Sequence, residues 1–263
     1  MTAVMEARGI CKRFGHVEVL REVDFDAEAG KVTALIGDNG AGKSTLVKIL
    51  SGALGGDRGT ISLDGRPITL ASPTHARDVG IETVYQDLAL APELGPAENT
   101  FAGRELLKPG VLGRLGVLDK KAMRQQAAEA FRSMGTDVKD LDAAVGALSG
   151  GQKQSVAICR SVMWAKKVIF MDEPTAALGV RQTAKVLSLV RRVADEGVAV
   201  VLISHNMPEV LEVADRIEVL RLGRRVATFG NDATVDQLVG AMTGALDMAA
   251  VSAATDHGRG GQR

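Results

Sequence analysis

The sequence predicts an α/β fold: a parallel-stranded core with an antiparallel β subdomain beside it and an inserted α-helical subdomain. Three observations predict it. First, the apolar runs Val32–Ile36, Val168–Met171 and Val198–Ile203 are continuous rather than alternating, the pattern of strands buried on both faces. Second, helical patterns separate these runs. Lys43–Leu50 follows the first, and Arg181–Glu196, apolar at Val186, Leu189, Val190 and Val193, lies between the second and third. Alternating strand and helix predicts a parallel sheet with ligand groups at the C-terminal strand ends. Third, the stretch from about Pro92 to Trp164 has no strong strand run and holds two good helical segments, Lys120–Met134 and Ser149–Trp164.

The remaining elements follow in order. Val4–Ile10, Val19–Phe25 and Thr60–Leu63 are short strand candidates set between Gly and Asp turns such as Asp64-Gly65, and they supply the antiparallel layer. Arg221–Arg225 reads as a solvated basic turn. One domain over 4–244 is expected, its core and β subdomain covering 4–86 and 166–244 and its helical subdomain about 87–165. A flexible tail, 245–263, is rich in Gly and Ala.

Composition narrows the class. The chain has 263 residues, 46% hydrophobic and 24% charged, which excludes a mostly disordered protein. Lys+Arg is 32 and Asp+Glu is 32, a net charge of zero, which argues against nucleic acid as a partner. The two cysteines, Cys11 and Cys159, make no disulfide framework, so a reducing, cytosolic setting is expected. Met1–Phe14 has no signal-peptide core, and no apolar run approaches the roughly 20 residues needed to span a bilayer. Any membrane role must then come through a partner.

Three motifs carry chemistry. Gly37-Asp38-Asn39-Gly40-Ala41-Gly42-Lys43-Ser44-Thr45 fits G-x-x-x-x-G-K-[ST] between a predicted strand and helix. Its small residues let backbone N–H groups turn inward as an anion nest, and the helix N-terminus adds partial positive charge. Lys43 is placed to neutralise β- and γ-phosphates, and Ser44 can ligate Mg²⁺. By average residue frequencies a chance match arises in roughly one chain in a hundred of this length. Alone, the loop specifies only a nucleoside triphosphate. The run Val168-Ile169-Phe170-Met171 ends in Asp172-Glu173. Asp172 can hold Mg²⁺, while Glu173 can orient or deprotonate a water aimed at the γ-phosphate. By itself such a pair is as readily a surface turn, and the phosphate loop gives it meaning.

The third motif, Leu148-Ser149-Gly150-Gly151-Gln152, opens a predicted helix. A Ser hydroxyl and Gly N–H groups at a helix start make a second anion-binding cap. Two caps at opposite ends of one monomer could not touch one γ-phosphate. Two copies facing head to tail remove the difficulty, and two-fold symmetry then yields two equivalent sites.

With these motifs in hand, the sequence resembles the ATP-binding cassette (ABC) ATPases, over about residues 4–230 and in the family's motif order. The resemblance implies a P-loop NTPase fold with a RecA-like parallel core, ATP and Mg²⁺ as cofactors, and ATP hydrolysis coupled to transport. It further implies that Gln86, in Thr83-Val84-Tyr85-Gln86-Asp87, contacts Mg²⁺ or the attacking water and reports to a membrane partner. It makes His205 the holder of the γ-phosphate and Phe14 the aromatic residue stacked on adenine. Read without the resemblance, Gln86 is a plain polar residue, Phe14 a core residue and His205 a satisfied histidine at a strand end.

A narrower resemblance is to ATPase subunits of bacterial carbohydrate importers, of the class carrying monosaccharides such as fructose, ribose or xylose. It rests on Gly80–Gln86, on Leu88–Pro92 with Glu98-Asn99 and Gly103–Glu105, on Asp172–Val180 and on Ser204–Met207. It implies a homodimer at the cytoplasmic face of the inner membrane, peripheral to transmembrane permease subunits and served indirectly by a periplasmic or extracellular sugar-binding protein. Where most cassettes carry Asp after the Ala-Leu of the loop following the acidic pair, this chain has Gly179 after Leu178, a feature frequent in the sugar-import group.

Rival readings are weaker. A GTPase needs an Asn-Lys-x-Asp guanine reader, and none is present. A kinase-type P-loop enzyme leaves Leu148–Gln152 unexplained. An ABC ATPase of another importer, or a non-transport ABC ATPase acting on DNA or ribosomes, stays open at this level.

Overall fold

The computed structural model describes residues 3–85, 87–136, 138, 140–176 and 178–245. The expected tail beyond residue 245 lies outside them. The chain begins with a long hairpin, β1 (Ala3–Phe14) and β2 (Val17–Glu28), and enters β3 (Val32–Ile36), then α1 (Lys43–Leu50). β4 (Arg58–Leu63) and β5 (Arg66–Ile68) join the hairpin in an antiparallel sheet ordered β2-β1-β4-β5. The expected front strands are therefore present but longer. Their alternation is broken by register shifts between Ala7 and Ile10 and between Ile10 and Lys12, which hid their true length from a period-two reading.

After α2 (Pro73–Asp78) and β6 (Ile81–Val84) come α3 (Pro96–Phe101), α4 (Val111–Arg114), α5 (Lys120–Ser133) and α6 (Gly150–Trp164). The chain then returns through β7 (Val168–Asp172), α7 (Val180–Asp195), β8 (Ala199–Ile203), α8 (Met207–Val213), β9 (Arg216–Arg221), β10 (Arg224–Gly230) and α9 (Val235–Thr243). The second sheet runs β10-β9-β3-β8-β7-β6. β9, β3, β8, β7 and β6 pair in parallel, and β10 closes the edge as the antiparallel arm of a hairpin. Between β6 and β7 the elements are helical, apart from an isolated bridge between Leu107 and Leu118.

The continuous apolar runs are explained by two-sided burial. On one face of the parallel sheet, Ile169, Met171, Val200 and Leu202 pack with Val186, Val190 and Val193 of α7 and Val156 of α6. The residues between them, Val168, Phe170, Val201 and Ile203, face the other way. They meet Leu46 and Leu50 of α1 and Met5, Leu20 and Phe25 of the antiparallel layer. A strand with both faces in a core has no polar position to alternate with.

β6, β9 and β10 were not expected, because polar residues interrupt them. Glu218 of β9 is 1% exposed and is neutralised by Arg216 at 2.7 Å and Arg225 at 3.5 Å, with the Thr228 hydroxyl donating at 2.9 Å. The basic turn Arg221–Arg225 is the tip of this hairpin, with Leu222 and Gly223 both in the left-handed region. Glu82 of β6 is likewise buried against Arg104 at 2.6 Å. Both cysteines are free thiols. Cys159 is buried, and burial pushes its thiol up to about 12. Among the described residues no helix is long and apolar enough to cross a membrane.

Candidate functional site

The sheet order places the motifs. β3, β8 and β7 are neighbours, and their registers put Leu35 and Asp172 level with Ile203. The phosphate loop, His205 and the acidic pair therefore leave the same sheet edge side by side.

The loop's path depends on glycine. Gly37 has φ 151° and its α-carbon sits against the Leu220 carbonyl, where a Cβ would collide. Gly42, at φ 104°, is the residue before α1, and a Cβ there would come within 2.8 Å of Leu20 and 3.0 Å of the Val19 carbonyl. The cavity beside it, about 180 Å³, is lined by Asn39, Gly40, Ala41, Gly42, Lys43, Ser44 and Thr45 together with Val19 of β2. Val19 was not foreseen; only the packing of β2 over the loop brings it there. Lys43 stands in the first turn of α1. Its ammonium donates to Gly37 O at 2.5 Å and Asp38 O at 3.0 Å, which closes the loop on itself. Burial lowers the Lys43 pKa, opposed by the nearby carboxylates of Glu173, Asp38 and Asp172.

Asp172 ends β7. Burial raises its pKa, and the charge of Glu173 raises it further, with Lys43 pulling the other way. Glu173 follows in a left-handed conformation, φ 50°, and its N–H donates to Ile203 O at 2.9 Å. A non-glycine residue there carries backbone strain, held by that cross-strand bond. The turn aims its carboxylate at His205, whose Nδ1 lies 2.8 Å from Glu173 Oε1. A carboxylate in its ionised form can only accept, so with Glu173 ionised this contact requires the hydrogen on His205 Nδ1. The His205 side chain is 75% exposed while that of Glu173 is 16% exposed. Thr175 donates to Glu209 Oε2, and Asn206 donates to Oε1 of the same carboxylate at 2.8 Å, which ties the loop after the acidic pair to the loop bearing His205. Glu209 gave no sequence signal, since its role needs β7 and β8 to be adjacent.

Ser149 and Gln152 form a capping box. Ser149 Oγ accepts from Gln152 N–H at 3.4 Å, and Gln152 Oε1 accepts from Ser149 N–H at 3.0 Å. Gly150 and Gly151 supply the first turn of α6. This tip lines a different cavity, shared with Gln182 and Lys185 of α7, and no residue of Ser149–Gln152 reaches the phosphate-loop cavity. Phe14 ends β1 and is 49% exposed, so it is not a core residue. It shares the β1–β2 hairpin with Val19, pairing with Val17. Gln86 lies outside the described residues; β6, which leads toward it, pairs its last residue Val84 with Met171. Among the described residues there is no cluster of three His, Cys, Asp or Glu side chains able to hold a metal on their own.

Comparison with known proteins agrees with this geometry. A family model described as ABC transporter matches residues 20–176. The chain is 49% identical over 247 residues to a fructose import ATP-binding protein of Rhizobium meliloti, covering 93% of this chain and 95% of that one. It is 45% identical over 244 residues to a ribose import ATP-binding protein of Rubrobacter xylanophilus, covering 93% of this chain but 48% of the relative, so it spans about half of that protein's length. Among solved structures, a nucleotide-free ATP-binding cassette from an ABC transporter superposes with a TM-score of 0.78 at 26% identity, covering 92% of this chain and 96% of the other. A phosphate loop, a serine-glycine helix tip and an acidic strand end follow one another in that order along a chain that superposes on a known cassette, and with the family match over residues 20–176 and 49% identity to a curated relative they leave one conclusion: the chain belongs to the ABC transporter family.

Proposed function

We propose that the chain is the ATP-hydrolysing subunit that powers import of a monosaccharide, of the fructose, ribose or xylose type, through a membrane permease. The observation that carries the reading is the 49% identity to a fructose import ATP-binding protein over nearly the full length of both chains.

The site supports the chemistry. ATP lies with its phosphates along Gly37–Thr45, Lys43 exchanging the Gly37 and Asp38 carbonyls for β- and γ-phosphate oxygens. Ser44 and Asp172 offer a hydroxyl and a carboxylate, the hard oxygen donors that suit Mg²⁺, which takes few protein ligands beside nucleotide phosphates. Gln86 is assigned beside them on family grounds. A bound Mg²⁺ would supply charge neutralisation at the phosphates. Glu173 accepts the proton of a water as its oxygen bonds to the γ-phosphorus. The bond to the β–γ bridging oxygen breaks, and ADP and phosphate leave. His205, oriented by Glu173, contacts the γ-phosphate, and Phe14 stacks on adenine.

Ser149, Gly150, Gly151 and Gln152 act on the partner's nucleotide. Their placement in a cavity separate from the phosphate loop supports a homodimer in which each copy caps the other's ATP. The dimer closes while γ-phosphate bridges both surfaces and reopens after hydrolysis. We assign 87–165 as a helical subdomain, with core and β subdomain in 4–86 and 166–244. A groove of about 370 Å³ lies between the sheet and these helices, lined in part by Tyr85, Ala89, Arg104, Arg160 and Trp164, and it suits the permease. The assembly is peripheral at the cytoplasmic face of the membrane, with a sugar-binding protein on the far side.

The test is uptake of labelled fructose, ribose and xylose by cells of the source organism with the gene deleted, then restored as wild type or as Glu173→Gln. Loss of uptake of one sugar, recovered only with wild type, is expected. Unchanged uptake of all three on deletion would remove the sugar-import assignment while leaving the nucleotide site standing.

A further inference from the structure

Asp57 precedes β4 and belongs to no motif. Its N–H donates to Cys11 O at 2.9 Å, its Oδ2 accepts from Arg13 N–H at 2.7 Å, and its Oδ1 accepts from Lys12 Nζ at 2.8 Å. One residue thus holds three consecutive residues of β1, the three that lead to Phe14. β2 pairs with Lys12, Arg13 and Phe14 on one side, but on the β4 side the ladder stops short of them. Pairing of β1 with β4 ends at Cys11 opposite Arg58, and pairing of β1 with β2 shifts register between Ile10 and Lys12 and again between Lys12 and Arg13. Backbone groups without ladder partners need others, and the Asp57 carboxylate supplies them for Arg13.

The Lys12 side chain, 14% exposed, extends from this anchor to Phe14. Its ammonium lies over the Phe14 ring, 5.6 Å from the centroid, while the ring itself stays half exposed. The Lys12 contact, then the Arg13 N–H, hold the Asp57 carboxyl below the usual carboxylate range. A stacking ring binds a base only when its plane is fixed beforehand, because a ring that must be ordered on binding gives back part of the stacking energy. We propose that Asp57 is a positioning residue for the nucleobase: by clamping Lys12 and Arg13 it sets the Phe14 ring as a rigid platform for adenine. This rests on the reading of Phe14 as the adenine-stacking residue.

Equilibrium titration of the full chain with ATP and with inorganic tripolyphosphate separates base from phosphate binding. Phe14→Ala and Asp57→Ala should each weaken ATP by about three- to tenfold, the range of one aromatic stacking contact, and leave tripolyphosphate affinity unchanged. The double variant should bind ATP no more weakly than Phe14→Ala, because both changes remove the same platform. Asp57→Asn, which keeps an acceptor for Arg13 N–H but no charge for Lys12, should fall between. At saturating ATP the kcat of Asp57→Ala should equal wild type while KM rises. Wild-type ATP affinity in Asp57→Ala, with Phe14→Ala impaired, would overturn the inference and spare the Phe14 reading. Equal weakening of ATP and tripolyphosphate would make Asp57 a general support of the site, and the proposal would fall. No effect of Phe14→Ala would remove both.

Discussion

Replacing Glu173 by Gln isolates the proton-accepting role of one carboxylate. The change is nearly isosteric and the local backbone has no reason to move. The strained φ of 50° is held by the Glu173 N–H to Ile203 O bond, which involves no side chain, and the amide oxygen of Gln can still accept from His205 Nδ1. Nucleotide affinity should hold or tighten, since a negative charge close enough to perturb Lys43 is removed from beside an anionic ligand. What is lost is the base. General base catalysis contributes about 10²- to 10⁴-fold. At about 1.4 kcal/mol per tenfold, that is roughly 3–5 kcal/mol of barrier. Phosphate release at saturating MgATP should therefore drop at least about a hundredfold, with the ATP dissociation constant unchanged or lower. Size exclusion with ATP should show a persistent dimer, because the bridging γ-phosphate is no longer removed. A kcat within threefold of wild type, on the ~10²-fold scale expected for a lost base, would refute the assignment of Glu173.

Asp172→Asn should raise the melting temperature of the nucleotide-free protein at neutral pH. Burial and the Glu173 charge hold the Asp172 carboxyl above its ordinary value, so the folded state favours the protonated form. Its contribution to stability is full below the unfolded carboxyl pKa and is lost as pH rises through the folded one, so the advantage of Asn should vanish in acid. Ser149→Ala removes one arm of the α6 capping box and should cost about 1 kcal/mol of stability. It should leave ATP binding to the monomer intact and abolish the ATP-dependent dimer of the Glu173→Gln background; an undiminished dimer would contradict the capping role. Glu218→Ala leaves Arg216 and Arg225 without their shared carboxylate and should cost about 1–3 kcal/mol. Urea unfolding with an unchanged midpoint would show that β9 does not depend on that ion cluster.

Legibility of the fold tracked how local each signal was. Val32–Ile36 and Lys43–Leu50 match the structure residue for residue, since a doubly buried strand and an amphipathic helix each display their environment in adjacent positions. Arg216–Arg221 was opaque for the opposite reason. Its Glu218 is buried only because Arg225 and Thr228 come back along the next strand, and a charge in a core makes sense only with its partner in view. The site behaves in the same way. Lys43, Asp172, Glu173 and Ser149 announce themselves by residue type and spacing. Their arrangement does not, because it depends on β8 lying between β3 and β7, an order the sequence of elements does not state. Glu209 meets Thr175 and Asn206 across that unstated order, and Val19 and Asp57 make their contacts through the packing and pairing of the antiparallel sheet, which the sequence of elements does not state either.

The contacts within the site bear on the proposal that the chain works as one half of a pair. Lys43 and Glu173, the two groups proposed to engage the nucleotide, are each held by their own chain, Lys43 by two loop carbonyls and Glu173 by His205. A triphosphate can displace the carbonyls, because an ionic hydrogen bond to phosphate exceeds one to a neutral carbonyl. Among the described residues, the serine-glycine tip lines another cavity and contributes nothing to the phosphate-loop one. That tip is exposed at Ser149 and Gly150, and Val180 at the start of α7 is 88% exposed. A polar cap and an apolar side chain left in water on neighbouring elements are surfaces whose burial would stabilise a second copy set against them. In the dimer proposed above, binding of ATP by one chain would prepare the anion that the partner's tip completes, and hydrolysis would withdraw it. The stability of such a pair would be tied to the state of one phosphate, which is the coupling an import motor needs.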